Sequence, residues 1–261
     1  MKTKSEFPWR NFLRNLAVIA IPVALQNLLT TTSSMVDTMM IAPLGETSVG
    51  AVGLCAQFSS LMFSGYWGFV GGGMLFFSQY WGAKDEDGID RSFGLTLVCM
   101  LASTSIFTCL ALLAPELVMS IYTDKTAIQT IGVEYLSIVG FAYPMQVISM
   151  AMSALLRSTE RVRIPLYAAI ASVATNMCPN WVFIYGKFGL PAMGVRGAAL
   201  ATACAAAVNM VVILILSRAQ GYPYLFHFTK HFRWNGPFVK SYFVKCFPIL
   251  CNEILIGVGN M

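Results

Sequence analysis

The stretch Leu16–Leu44, LAVIAIPVALQNLLTTTSSMVDTMMIAPL, decides the fold. Its one ionisable residue is Asp37. As a helix rising about 1.5 Å per residue, the run is long enough to cross ~30 Å of hydrocarbon. A carboxylate at such a depth costs roughly 2.5–3.5 kcal/mol even on lenient insertion scales, so it is seldom there without a use. Gln26, Thr30, Ser33 and Asp37 follow at steps of four, three and four, and so share one helical face. A polar stripe leading to a buried acid predicts the wall of a transport cavity.

Runs of the same kind recur on both sides of this stretch. The chain of 261 residues is 57% hydrophobic and only 11% charged, against about 25% charged in a soluble domain. This predicts an all-α integral membrane protein, because the apolar runs are continuous rather than alternating segments of barrel length. Six spans are expected at about 15–42, 48–81, 92–114, 127–156, 164–186 and 194–217, with a seventh starting near Tyr242. The expected organisation is a six-helix lobe over 1–217, an inter-lobe loop over 218–241 and the start of a second lobe over 242–261.

Charge sets the expected orientation. Assigning alternate joints to alternate sides places 14 of the 17 lysines and arginines on one side. They are Lys2, Lys4, Arg10, Arg14, Lys84, Arg91, Arg157, Arg161, Arg163, Arg218, Lys230, Arg233, Lys240 and Lys245; the other side holds Lys125, Lys187 and Arg196. The positive-inside rule then puts the N-terminus in the cytoplasm, with the protein multi-pass in the cell membrane. The net charge of +5 is topogenic. It does not form the clustered basic face that nucleic acid requires, so no nucleic-acid partner is expected. The first apolar run is too long for a signal-peptide core and lacks an evident cleavage site. The seven cysteines lie in apolar segments without a CxxC pair and read as small buried packing residues.

The chain repeats itself. Laying Pro22 over Pro248 sets IPVALQNLLTTTSSM against FPILCNEILIGVGNM, matching Leu29 with Leu255, Met35 with Met261 and Gln26 in character with Asn252. The match falls after six spans, and parallel six-span repeats are a transporter architecture. The last segment, from Cys246 to Met261, is too short to cross a bilayer. The chain is therefore expected to be one half of a longer protein plus the first turns of the other half.

Other polar sets each have two readings. Gln57, Ser60 and Ser64 share a face of the second span, followed by Gly65, Gly68 and Gly71–Gly73. The glycines suit either close helix packing or an unwound stretch at a cavity. Gln146, Ser149 and Ser153 share a face of the fourth span, as interhelical hydrogen bonders or as cavity lining. In the fifth span Ser172, Asn176 and Asn180 are spaced by four, with Pro179 between the asparagines. Proline leaves the carbonyl of Thr175 without its helical partner, so oxygen ligands for a cation such as Na⁺ gather there. The alternative is a kinked helix with satisfied amides. Counted from the cytoplasmic side, Asn180 lies roughly 24 Å deep and Asp37 roughly 32 Å, both in the outer half. Glu253 is a second intramembrane acid, or else a helix-end acid in water. His227 and His231, four apart, are too few ligands for a metal site, and none is expected.

These residues resemble the multidrug and toxic-compound extrusion (MATE) transporters. The resemblance rests on IPVALQNL and VDTMM in the first span, WGAKD after the second, ALLRSTERVRIP, GVRGAALAT and FPILCNE, which together run over nearly the whole chain. It implies half of a twelve-helix, two-lobe protein that exports organic, often cationic, compounds against inward Na⁺ or H⁺. No other cofactor is implied, and no enzymatic activity. The partners implied are small organic substrates and membrane lipid, the full-length protein acting as a monomer. The family's coupling acid falls on Asp37 and its fifth-span polar pair on Asn176 and Asn180; several relatives carry aspartate where Asn180 stands. Thr202 is an implied partner, and Glu253 matches the acid at the start of the second lobe. A flippase for lipid-linked sugars is the nearest rival, but its pyrophosphate cargo calls for a cationic cavity. A membrane enzyme or a seven-helix receptor fits less well: no histidine lies in a span, and the charge bias runs the wrong way for a receptor.

Overall fold

The structure is a computed structural model and describes residues 9–227, 231–232 and 234–259. Lys2, Lys4, Lys230, Arg233 and Met261, used above for orientation and repeat, lie outside the described residues. Helix α1 spans Trp9–Ile41 with Pro22 inside it. It ends in a 3-10 turn, Ala42–Leu44, where Pro43 forbids continuation. Gly45, at φ 101, then reverses the chain. Helix α2, Glu46–Ala83, returns to the end from which α1 began, here called the near end. Asp85 caps α3, Glu86–Leu113, its side chain accepting from the Gly88 amide at 2.9 Å.

Beyond α3 the sequence reading is corrected in three places. A short helix α4, Pro115–Tyr122, starts on the proline that suits a first helical turn. The expected span 127–156 is two helices, α5 Thr126–Val139 and α6 Ala142–Ser158, bent by 50°. The seventh helix begins before residue 242. After α7, Arg163–Tyr185, and α8, Val195–Ala219, the last helix α9 covers Gly236–Gly259. Four helices (α1, α2, α3 and α8) are long and apolar enough to cross a membrane, and the bent pair α5–α6 makes a fifth such element. Helix α7 is of similar length but carries Arg163, Ser172, Asn176 and Asn180.

The core lies among α2, α3, α5, α6 and α8, where Met62, Met100, Leu136, Val147, Leu155 and Ile213 are fully buried. No residue of α6 is exposed, so it is the enclosed helix of the bundle. Helix α8 is rich in alanine, and Gly197 lets it approach α7 so closely that a Cβ there would lie 2.7 Å from the Phe183 carbonyl carbon. The glycines of α2 take the packing role. A Cβ on Gly68 would lie 2.5 Å from the Leu250 Cα, and one on Gly72 would overlap Cys246 Sγ, so α9 seats directly on α2. Helix α2 is unbroken, which overturns the unwound alternative. The cysteine reading needs correction too: Cys55 and Cys246 are buried, but Cys109, Cys178 and Cys204 are exposed.

The segment joining α8 to α9 lies against the near end. Tyr222 donates to Thr159 Oγ1 at 2.5 Å, Tyr224 donates to Glu86 Oε1 at 3.2 Å, and Trp234 Nε1 donates to the Arg91 carbonyl at 3.2 Å. His227 Nδ1 sits 2.8 Å from Oδ2 of Asp90, whose side chain is fully buried. His231 Nε2 lies 2.9 Å from the Tyr224 carbonyl oxygen.

Candidate cation and substrate site

Helices α1 and α7 run in the same direction and meet along a polar seam. Ser33 Oγ donates to Asn176 Oδ1 at 3.5 Å, and Asn180 Nδ2 donates to Asp37 Oδ1 at 2.6 Å. The offset between partners is 143 residues in both pairs, so one register of α1 on α7 makes both contacts. At the far end the Tyr185 hydroxyl donates to the Met40 carbonyl at 2.8 Å and fastens the seam. Asp37 is partly buried and faces α7 and the neighbouring cavity.

The amides around Asp37 are in conflict. Asn180 Nδ2 also donates to Asn176 Oδ1 at 3.2 Å, which leaves the Asn176 oxygen facing the carboxylate. With the Asn176 amide reversed, its nitrogen donates to Asp37 Oδ1 at 2.5 Å and Oδ2 at 3.3 Å, but it then meets Asn180 Nδ2 at 3.2 Å. One orientation opposes two oxygens and the other opposes two nitrogens. Asn180 Oδ1 is buried and has no hydrogen-bond partner. With its nitrogen toward the carboxylate, Asn176 joins Asn180 in donating to Asp37, the pairing expected of a buried carboxylate.

Beside the seam is a cavity of about 500 Å³. Gln26, Thr30, Ser33 and Asp37 line it from α1, Gln146, Ser149 and Ser153 from α6, Ser172 and Asn176 from α7, and Thr202 from α8. Asn180 lies behind Asp37 rather than on this surface. Gln57 is exposed and outside the lining; α2 contributes Phe63 and Tyr66 instead, because those positions turn inward. Glu253, on α9 and partly buried, is also outside it.

Some lining residues were not read from the sequence. Asn209 lines the cavity from α8, two turns after Thr202, and the same stripe logic applied to α8 would have found it. Tyr66, a buried phenol on the cavity wall, was not read either. Nothing in its sequence context separates it from the nine other tyrosines.

The family model MatE matches residues 22–182, more than half of the chain. This chain belongs to the MatE family. It is 27% identical over 258 residues to the probable multidrug resistance protein YoeA of Bacillus subtilis, covering 95% of this chain and 54% of that one. It is 25% identical over 234 residues to the probable multidrug resistance protein NorM of Rhizobium meliloti, covering 90% of this chain and 50% of that one. The chain thus spans about half the length of the curated relatives it matches. A solved structure described as the outward-facing conformation of a multidrug resistance MATE family transporter superposes with a TM-score of 0.80 at 20% identity, covering 92% of this chain and 52% of that one. At that identity the likeness establishes the fold. As a MatE-family chain with apolar helices of spanning length, this is a multi-pass membrane protein.

Proposed function

We propose that this MatE-family lobe supplies the cation site of an exporter of organic, often cationic, compounds driven by inward Na⁺ or H⁺. The near end, which gathers most of the basic residues, faces the cytoplasm. The observation that carries the reading is the carboxylate of Asp37, the one charge on the cavity wall, with the Asn180 amide donating to it at 2.6 Å. A proton on Asp37, or a small cation held by its carboxylate beside the neighbouring amides, neutralises the charge on the cavity wall. The low-dielectric wall penalises a bare carboxylate, so some cation belongs there at each stage of the cycle.

Antiport follows from competition. A cationic substrate in the cavity and a coupling ion at Asp37 draw on the same negative charge. If only singly loaded forms interconvert between inward- and outward-facing states, export of one is tied to entry of the other. Thr202 and Asn209 extend the site on the α8 side, and Glu253 supplies an acid for the second lobe. Among the residues lining the cavity the one charge is Asp37, which favours cationic cargo over the pyrophosphate of a lipid-linked sugar. The site works by binding, with no catalytic step, and the full-length protein acts as a monomer.

The test is Asp37→Asn in the full-length protein, reconstituted in vesicles with Na⁺ and H⁺ gradients collapsed separately. Export of a cationic dye should fall at least about tenfold, the equivalent of 1.4 kcal/mol. Export against a gradient that survives in the variant would sink the reading, and the gradient whose collapse stops the wild type names the ion.

A further inference from the structure

A buried carboxylate at the near end takes no part in the export cycle above. Asp90 stands near the start of α3 with its side chain fully out of solvent, and His227 Nδ1 lies 2.8 Å from its Oδ2. The histidine belongs to residues 222–227, the segment that leaves α8 toward α9. Its own side chain is 33% exposed, so protons reach it from the near side. A carboxylate held out of water calls for an opposite charge, and a protonated histidine supplies one. The segment around it has a built seat. Tyr222, Tyr224 and Leu225 are buried, with Tyr222 bonded to Thr159 and Tyr224 to Glu86. Further on, the His231 ring packs on Phe93 with centroids 5.1 Å apart, and a Cβ on Gly94 would overlap the His231 carbonyl. Trp234 then bonds the Arg91 carbonyl, two residues before α9 begins. The way this segment rests on α3 therefore sets where α9 starts.

We propose that Asp90 and His227 form a pH-sensitive latch between this lobe and the segment leading out of it. With His227 protonated, the pair is a hydrogen bond between two charges, and the segment is held on α3. As pH rises through the range in which histidine loses its charge, a neutral donor faces a buried anion and the hold weakens. Acid on the near side fastens the segment, and base loosens it. The other ionisable groups about the pair are Glu86 and Arg91 on α3, Tyr222 and Tyr224 on the segment, Arg161 from the turn after α6, Arg218 at the end of α8, and His231. His231 is the chain's one other histidine, and so the one rival sensor of the same kind. Neither Asp90 nor His227 lines the cavity, so the latch goes beyond the export reading and does not depend on it.

The test is amide hydrogen exchange of the full-length protein in detergent, read on peptides covering residues 222–227 and corrected for the intrinsic effect of pH on exchange. Protection reports how often the segment lets go. From about pH 5 to about pH 8, protection in the wild type should fall about tenfold, the scale of trading a charged hydrogen-bonding partner for a neutral one. Peptides from the core of α6 should show no such fall. His227→Gln keeps a donor without the charge, and Asp90→Asn keeps an acceptor without it; in each the pH dependence should vanish. His231→Gln should retain it. Should Asp90→Asn fail to fold, the wild type and His227→Gln decide. Wild-type protection that stays level across the range overturns the latch. So does a dependence that survives in His227→Gln, or one that only His231→Gln removes. None of these results bears on Asp37, so the latch can fail while the export reading stands.

Discussion

Two helix seams in this lobe have opposite chemistry. Where α9 meets α2, Gly68 and Gly72 bring backbone against Leu250 and Cys246, and at its edge the Tyr242 hydroxyl bonds Thr96 of neighbouring α3 at 2.8 Å. That seam is close-packed, and its hydrogen bond is buried and satisfied. Where α1 meets α7, serine, aspartate and asparagine face one another, a carbonyl oxygen is left without a donor, and a cavity opens alongside. Of the described α1 side chains only Gln26 and Ile41 are buried. A close-packed seam has one good arrangement, because any shift forfeits contacts. A polar seam beside an open cavity is less constrained, and under the export reading a bound cation selects among its arrangements. The first seam holds a helix in place, and the second can respond to what it binds.

The contrast breaks most visibly at Gly72. Gly72→Leu puts a side chain where Cys246 already sits, and overpacking of this kind costs about 1–3 kcal/mol. Helix α9 should lift from α2. In a variant keeping Cys246 as its sole cysteine, maleimide labelling of that buried thiol should rise at least about tenfold, as expected from 1.4 kcal/mol or more of lost packing. Unchanged protection would show that the glycine is not what seats α9.

Asn180→Asp sharpens the other side of the comparison. It sets a second carboxylate within hydrogen-bond reach of Asp37, where two negative charges cannot rest without a cation. Affinity for Na⁺ should rise by about tenfold, or 1.4 kcal/mol. Thermal unfolding should become Na⁺-dependent, gaining about 2.7 kcal/mol at a hundredfold excess over Kd. Melting curves with and without Na⁺ check this, and equal shifts for wild type and variant would contradict it.

The sequence disclosed the polar seam better than the close-packed one, for a physical reason. A carboxylate or an amide in hydrocarbon is expensive, so Asp37, Asn176 and Asn180 stand out against their surroundings. Depth counting had already put Asp37 and Asn180 in the same half of the membrane, and the helices bring them into contact. Glycines and tyrosines carry no such signal. Gly72 is permissive in a packed helix or an unwound one, and only the neighbouring Cys246 decides between them. Tyr66 is an ordinary aromatic residue until the fold sets it on the cavity wall. Gln57 misled because a shared polar face shows that something polar is opposite, without showing which element supplies it.

The smallest effect is expected at the far end of the polar seam. Tyr185→Phe removes only the hydroxyl that donates to the Met40 carbonyl, a bond worth about 0.5–1.5 kcal/mol. The carbonyl belongs to the last turn of α1, where main-chain acceptors lack helical donors and water can replace the phenol. A loss of about 1 kcal/mol lowers Tm by roughly 2–4 °C for a chain of this size, readable in a melt of the purified protein. If α1 is held chiefly by the polar contacts at Ser33 and Asp37, a saturating cationic dye should restore most of that loss in the variant. A drop in Tm that the dye leaves untouched would mean that the Tyr185 tie, rather than the occupied site, fixes the register of α1 on α7.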